Sequence, residues 1–181
     1  VAAVLLSQGR TASQTLGELI ANDADSAYRQ IAIVDLENTA VAHTGAHVRG
    51  WAGHRVGAGF VVFGDTLAGQ QVLDAMAAGF ESASASGLDE QLLAALEAGR
   101  EAGGMAGGKG RLPERSAAMI VWGNRTYNEV DLRVDMHERT GTDAAFFPGV
   151  VCLVMVFHHH YLVRFQHMPA VSLRALAPTI E

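Results

Sequence analysis

Apolar residues in this chain change their spacing in blocks, and the order of those blocks limits the fold more than any other feature. Helical spacing comes first. Residues 1–8 read as the end of a helix that Gly9 closes, since glycine takes the left-handed conformation freely. Thr11 and Gln14 have the separation of a capping box, and Leu16, Leu19 and Ile20 follow on one helical face. Strand patterns come next. Residues 29–35 carry Ile31, Ile33 and Val34, Glu37-Asn38 supplies turn chemistry, and residues 39–44 complete a hairpin. Residues 51–59 are expected to form a glycine-punctuated loop leading into a short buried strand, 60–63. Val72, Leu73, Met76 and Phe80 return to helical spacing, as do Leu92, Leu93 and Leu96 behind Asp89, the expected N-cap. A glycine-rich connector at 103–110 leads to two more strands, Ala117–Trp122 and 130–135. Strands that cluster instead of alternating with helices predict a layered α+β fold, not a doubly wound sheet. Ala117–Trp122 is nearly all apolar, which predicts a sheet covered on both faces.

A length of 181 residues fits one domain, with or without an appendage. Hydrophobic residues at 49% and charged residues at 18% exclude a disordered or collagen-like chain. The net charge is −6 and Lys109 is the single lysine, so a phosphate-tracking nucleic-acid surface is not expected. One cysteine, Cys152, excludes an internal disulfide. The charge is uneven. Residues 1–138 hold 10 of the 13 basic and 17 of the 19 acidic residues, a net of −7. Residues 139–181 have a net of +1, with four of the eight His and three of the four Pro. This divides the chain into a domain, 1–138, and an atypical apolar, His-containing tail, 139–181. The apolar run 150–157 is too short for a membrane span, which needs about 20 residues.

Several motifs invite a chemical reading. Gly103–Lys109 fits G-x-x-x-x-G-K, but Gly110 stands where a phosphate loop needs Ser or Thr, and a helix precedes it where a strand should. Nucleotide binding is rejected. His158 and His160 would share a strand face, yet two imidazoles without a nearby acidic partner make no metal site. The stretch Trp51-Ala-Gly-His-Arg-Val-Gly-Ala-Gly59 places His54 and Arg55, a titratable imidazole and a fixed cation, among three closely spaced glycines. A tight turn with surface His and Arg explains the spacing equally well. Asp65 follows the next strand, and Asp65-Thr66 could cap the helix beyond it. Asp131, Arg133 and Asp135 alternate with Leu132 and Val134, a pattern that an edge strand with one solvated face also produces. Ser116 opens the strand Ala117–Trp122, without a nucleophile-elbow motif around it.

Taken together, the segments resemble one family. They are Tyr28-Arg-Gln-Ile-Ala-Ile-Val-Asp35, His43-Thr-Gly45, Trp51-Ala-Gly-His-Arg-Val-Gly57, Gly59-Phe-Val-Val-Phe-Gly64 and Leu67-Ala-Gly69. Val72-Leu-Asp-Ala-Met-Ala77, Leu92-Leu-Ala-Ala-Leu-Glu-Ala-Gly99, Arg115-Ser-Ala-Ala118 and Val130-Asp-Leu-Arg-Val-Asp135 continue the series. This pattern is similar to the bacterial domain-of-unknown-function 1028 family, grouped with the N-terminal-nucleophile (Ntn) hydrolases. The resemblance implies a four-layer αββα sandwich and, by superfamily, hydrolysis of an amide C–N bond. In that chemistry a Thr, Ser or Cys at the mature N-terminus attacks the carbonyl while its own α-amine serves as base. The family pattern has further strands ahead of the helix ending at Gln8, with the nucleophile on the first. Val1 has no nucleophilic side chain, so the expectation is a partial Ntn-type domain lacking its first strands and inactive alone. Phe63-Gly64-Asp65 also stands where the family has Gln-Gly-Asn, and residues 139–181 replace an acidic, Leu-rich segment, as a shifted reading frame would.

The expected function is thus a fragment of an amide hydrolase. His54, Arg55, Asp65, Ser116, Arg133 and Asp135 are its candidate substrate-binding residues, with no catalytic residue assigned. The alternative is a non-catalytic assembly or binding subunit of the same fold. The expected partner is a small-molecule or peptide amide, without nucleic acid, membrane, cofactor or metal. Self-association and a cytoplasmic location complete the expectation.

Overall fold

The computed structural model describes residues 1–112, 117–123, 126–134 and 153–154. Cys152, His158 and His160 lie outside the described residues.

Two short helices, α1 (Ala2–Ser7) and α2 (Ala12–Ala21), open the chain. Gly9 between them has φ +84°. Both halves of the expected capping box form: the Thr11 hydroxyl accepts from the Gln14 backbone N–H, and the Gln14 side chain accepts from the Thr11 N–H. The first hairpin pairs β1 (Gln30–Val34) with β2 (Ala40–Thr44), and its turn places Asn38 at φ +61°. Asp35, only 5% exposed, ties this turn to α2. Its carboxylate accepts from the backbone N–H of Glu37 and Thr39, and from Ala12 in the first turn of α2. A carboxylate at a helix N-terminus also meets the favourable end of the helix dipole.

The second hairpin joins β3 (Trp51–Gly57) to β4 (Phe60–Leu67). Here the expected loop at 51–59 is corrected to a strand and its turn. The glycines do not break the strand; they let other groups approach it. A side chain at Gly57 would collide with the Phe60 ring, and one at Gly53 would press on Trp51 and on Leu73 of the following helix. Leu153–Val154 (numbered β9 below) adds to β4, giving the order β3-β4-β9.

Helices α3 (Gln70–Ser82) and α4 (Leu88–Glu101) follow. Two expected caps are absent. Gly69 is the N-cap of α3 and makes no side-chain cap bond, so Asp65-Thr66 does not cap it. Gly87 is the N-cap of α4, because Leu88 packs against the core and draws the helix start ahead of Asp89. Asp89 and Glu90 sit instead in the first turn of α4, and Arg100 in the last, each complementing the helix dipole. The 103–110 connector contains a tight two-stranded ribbon, β5 (Ala106–Gly107) with β6 (Gly110–Arg111). Finally β7 (Ala117–Trp122) pairs with β8 (Asn128–Val134). β7 is not covered on both faces. Ala117, Met119 and Val121 are buried, whereas Ala118 is exposed and Ile120 and Trp122 are half-exposed. Its apolar content reflects one packed face and one partly open one.

Three apolar clusters connect these elements. Ile31 and Ile33 of β1 pack with Leu6, Leu16 and Leu19 of α1 and α2. The opposite face of β1, through Ala32 and Val34, meets Val61 and Phe63 of β4. The far face of β4, through Phe60 and Val62, packs on Val72, Leu73, Met76 and Phe80 of α3 and on Leu92 and Leu96 of α4. Met119 and Val121 of β7 join that last cluster. Each fully buried aliphatic or aromatic side chain contributes about 1.5–3 kcal/mol, so the two hairpins are held face to face by hydrophobic burial. The molecule is a mixed α+β structure of small antiparallel sheets and four α-helices among the described residues.

Candidate functional site

A polar patch interrupts the otherwise apolar seam between the two hairpins. Strand alternation puts Gln30 on the same face of β1 as Ala32 and Val34, turned toward β4. Gln30 is 1% exposed. Its Nε2 donates to the carbonyl oxygens of Gly53 and Gly64, both at 3.0 Å, and lies 3.1 Å from Thr44 Oγ1. Gly53 and Gly64 face each other across the β3–β4 ladder, so one amide ties both strands of the second hairpin to the first.

Thr44 continues the network outward. Its Oγ1 is 2.8 Å from His54 Nδ1. Gln30 Nε2 has two hydrogens for three acceptors within reach, and the donor in the Thr44–His54 hydrogen bond follows the imidazole tautomer. Burial pushes the His54 pKa below its ordinary value of 6.5, and the nearby charge of His43 lowers it further. A neutral imidazole at pH 7 agrees with that hydrogen-bond pattern. His43 points to the other side of β2, where its Nε2 is 3.0 Å from the Ser26 carbonyl.

The far side of Gln30 is unsatisfied. Its Oε1 is buried and has no hydrogen-bond donor among the described residues. Leaving such an acceptor unpaired costs about 1–3 kcal/mol. The cluster therefore grades from exposed His54 through half-buried Thr44 to the buried amide of Gln30.

The candidate residues are dispersed around this patch. His54 and Arg55, read as neighbours on a loop, are consecutive on a strand and so face opposite ways. Arg55 lies on the helix side, where its Nη1 donates to Asp74 Oδ1 of α3 at 2.8 Å, both side chains 47% exposed. Asp65 directly follows Gly64 and accepts the Thr66 hydroxyl at 2.7 Å. Thr66, at φ +54°, belongs to a bulge in which β4 has one more residue than β3 between the Gly53–Gly64 and Trp51–Leu67 pairs. A β-branched residue in the left-handed region is strained, and the Thr66 N–H to Arg49 carbonyl bond at 3.1 Å helps to hold it. Arg133 is exposed on β8, opposite Ala118 of β7, on a different hairpin from His54. Ser116 and Asp135 lie outside the described residues. Gln30 and Thr44 escaped the sequence reading. The available signal was a polar side chain, Gln30, in period-two phase with inward-facing Ala32 and Val34.

Among the described residues no three His, Cys, Asp or Glu side chains gather to hold a metal ion, and no helix is long and apolar enough to cross a membrane. No curated protein matches the chain. A crystal structure of a protein from Silicibacter pomeroyi, attributed to DUF1028, matches with a TM-score of 0.60 and 32% identity over 72% of this chain. The match covers 54% of that protein, so this chain corresponds to about half of its length. The model of a family of unknown function, DUF1028, matches residues 2–143, and the chain belongs to that family.

Proposed function

We propose that this chain forms part of an N-terminal-nucleophile hydrolase that cleaves an amide C–N bond in a small molecule or peptide. The observation that carries this reading is the packing order: α1–α2, then β1–β2, then β3–β4, then α3–α4. That succession agrees with a four-layer αββα sandwich of the Ntn type, and the polar patch lies between its two central layers. In such an enzyme the N-terminal Thr, Ser or Cys adds to the substrate carbonyl. The α-amine takes the side-chain proton and delivers it to the departing nitrogen, and water then hydrolyses the acyl-enzyme. The described residues would bind and orient the substrate. His54 and Asp65, flanking the carbonyls that Gln30 holds, suit that role better than Arg55, which Asp74 engages on the opposite face. Residues 1–138 would form most of the working domain, with Leu153–Val154 of the 139–181 tail adding a strand to its β3–β4 hairpin.

The test uses the native protein, with its mature N-terminus determined by mass spectrometry. Amine release is then measured from a panel of N-acyl amino acids and peptide amides. The expected result is an N-terminal Thr, Ser or Cys, and amine release that chemical blocking of the α-amine abolishes. A mature N-terminus lacking all three residues, or a folded protein inert across the panel, refutes the hydrolase and favours the binding-subunit alternative.

A further inference from the structure

The Asp65–Thr66 peptide bond has a nucleophile beside it, an acceptor for that nucleophile's proton, and a backbone held out of its ordinary conformation. Thr66 has φ +54°, in the left-handed region that β-branched residues rarely enter. Its surroundings enforce this. Gly64 pairs with Gly53 and Leu67 with Trp51, so both ends of the bulge are fixed to β3. The Thr66 N–H donates to the Arg49 carbonyl at 3.1 Å, and a Cβ at Gly50 would lie 3.0 Å from Thr66 Cα. Strain that a rigid frame imposes on one residue is relieved when a bond beside it breaks. The Thr66 hydroxyl donates to Asp65 Oδ1 at 2.7 Å. Both residues are half-buried, which leaves the bond between them within reach of water.

We propose that the chain cleaves itself between Asp65 and Thr66 through an N-to-O acyl shift. Thr66 Oγ1 adds to the Asp65 carbonyl carbon, and its proton passes to Asp65 Oδ1. The C–N bond between the two residues then breaks as Oδ1 delivers that proton to the departing nitrogen. An ester now joins Asp65 to Thr66 Oγ1, and the Thr66 backbone nitrogen is a free amine. Water adds to the ester carbonyl and the C–O bond breaks. One proton of that water restores the Thr66 hydroxyl, and the other is released as Asp65 ends in a carboxylate. The two pieces stay associated, because Phe60 and Val62 before the break share a buried cluster with Leu67, Val72 and Leu73 beyond it. The reaction acts on the chain's own backbone and does not depend on the amide-hydrolase reading.

The test incubates the purified native protein at neutral pH and follows its intact mass under denaturing conditions. The expected result is first-order appearance of one piece ending at Asp65 and another beginning with Thr66, at a rate independent of protein concentration. Hydroxylamine should accelerate the break and leave a hydroxamate on the Asp65 backbone carbonyl, the mark of an ester. The sequence has no Asn-Gly bond for hydroxylamine to open instead. Thr66→Val should abolish cleavage, Thr66→Ser should retain it, and Asp65→Asn should slow it by at least about tenfold, each with unchanged circular dichroism. If Thr66→Val disturbs the fold, the hydroxamate on the unaltered chain decides. A chain that stays intact in hydroxylamine overturns the proposal. So does cleavage that survives Thr66→Val in a folded protein, isoaspartate at position 65 without chain cleavage, or a rate that rises with protein concentration. Cleavage is read on the chain itself and amide turnover on added substrates, so the two ideas fail separately.

Discussion

Replacing Gly79 and Gly17 by alanine, one at a time, separates helix propensity from helix packing. Both glycines lie inside helices, in α3 and α2, and neither has a positive φ. Alanine in a helix interior is favoured over glycine by about 0.5–1 kcal/mol, largely because the unfolded chain has less freedom to lose. At Gly17 a new Cβ meets nothing within 4 Å, so Gly17→Ala should stabilise by that amount. At Gly79 the new Cβ would lie 2.7 Å from the Ala94 carbonyl oxygen and 2.9 Å from the Ala98 Cβ, both on α4. Those distances are well short of the ~3.5–4.0 Å at which carbon contacts are most favourable, and the closer obstacle is backbone. Separating α3 from α4 disturbs the largest cluster, at an overpacking cost of about 1–3 kcal/mol. Less the propensity gain, Gly79→Ala should destabilise by roughly 0.5–2 kcal/mol. In a chain of this size that lowers Tm by about 1–8 °C, while Gly17→Ala raises it by about 1–4 °C. Urea unfolding followed by circular dichroism, with unchanged m values, measures both. Because the unfolded-state gain is common to the pair, their difference isolates the packing cost. If Gly79→Ala is as stable as Gly17→Ala, the close contact between α3 and α4 is wrong.

Three further outcomes follow from the hydrogen bonds and charges. Asp35→Ala removes the acceptor of three backbone N–H groups and should cost about 2–4 kcal/mol; a chemical-unfolding loss below 1 kcal/mol would show that Asp35 does not anchor the turn to α2. Arg55→Ala breaks a half-exposed ion pair with Asp74, so stability should fall by less than about 1 kcal/mol, and a larger loss in thermal unfolding would mark Arg55 as structural. The lowered pKa of His54 has a definite sign. The unfolded state binds the proton more readily, so stability from this group is fully present above about pH 6.5 and falls as pH drops below it, until the folded-state pKa is passed. His54→Gln should therefore flatten the stability profile on the acid side of pH 6.5, and an unchanged slope counts against a lowered His54 pKa.

The sequence was most informative where one short stretch contains its own explanation. The Thr11–Gln14 box needs only four residues, and the Asn38 turn needs only the strands beside it, so both were legible from local chemistry. The helical faces of α3 and α4 were equally clear, since the apolar stripe must be buried somewhere. Residues 51–59 look like a loop in sequence because their glycines resemble breakers, yet Trp51–Gly57 is a strand. The glycines' function there depends on Phe60, Trp51 and Leu73, which no local pattern brings together. His54 and Arg55, adjacent in sequence, take opposite faces of that strand, where one bonds Thr44 and the other Asp74.

By itself, the sequence determined the helices, the longer strands other than β3, the α+β class and the family likeness, because propensity, capping and apolar period act over a few neighbours. Only the tertiary structure decided that the seam between hairpins holds a polar amide. Gln30, Thr44 and His54 come from three strands, and the carbonyls of Gly53 and Gly64 carry no side-chain signal at all. Which acceptors a buried amide meets depends on sheet register and stacking, and those are set by burial across the whole core.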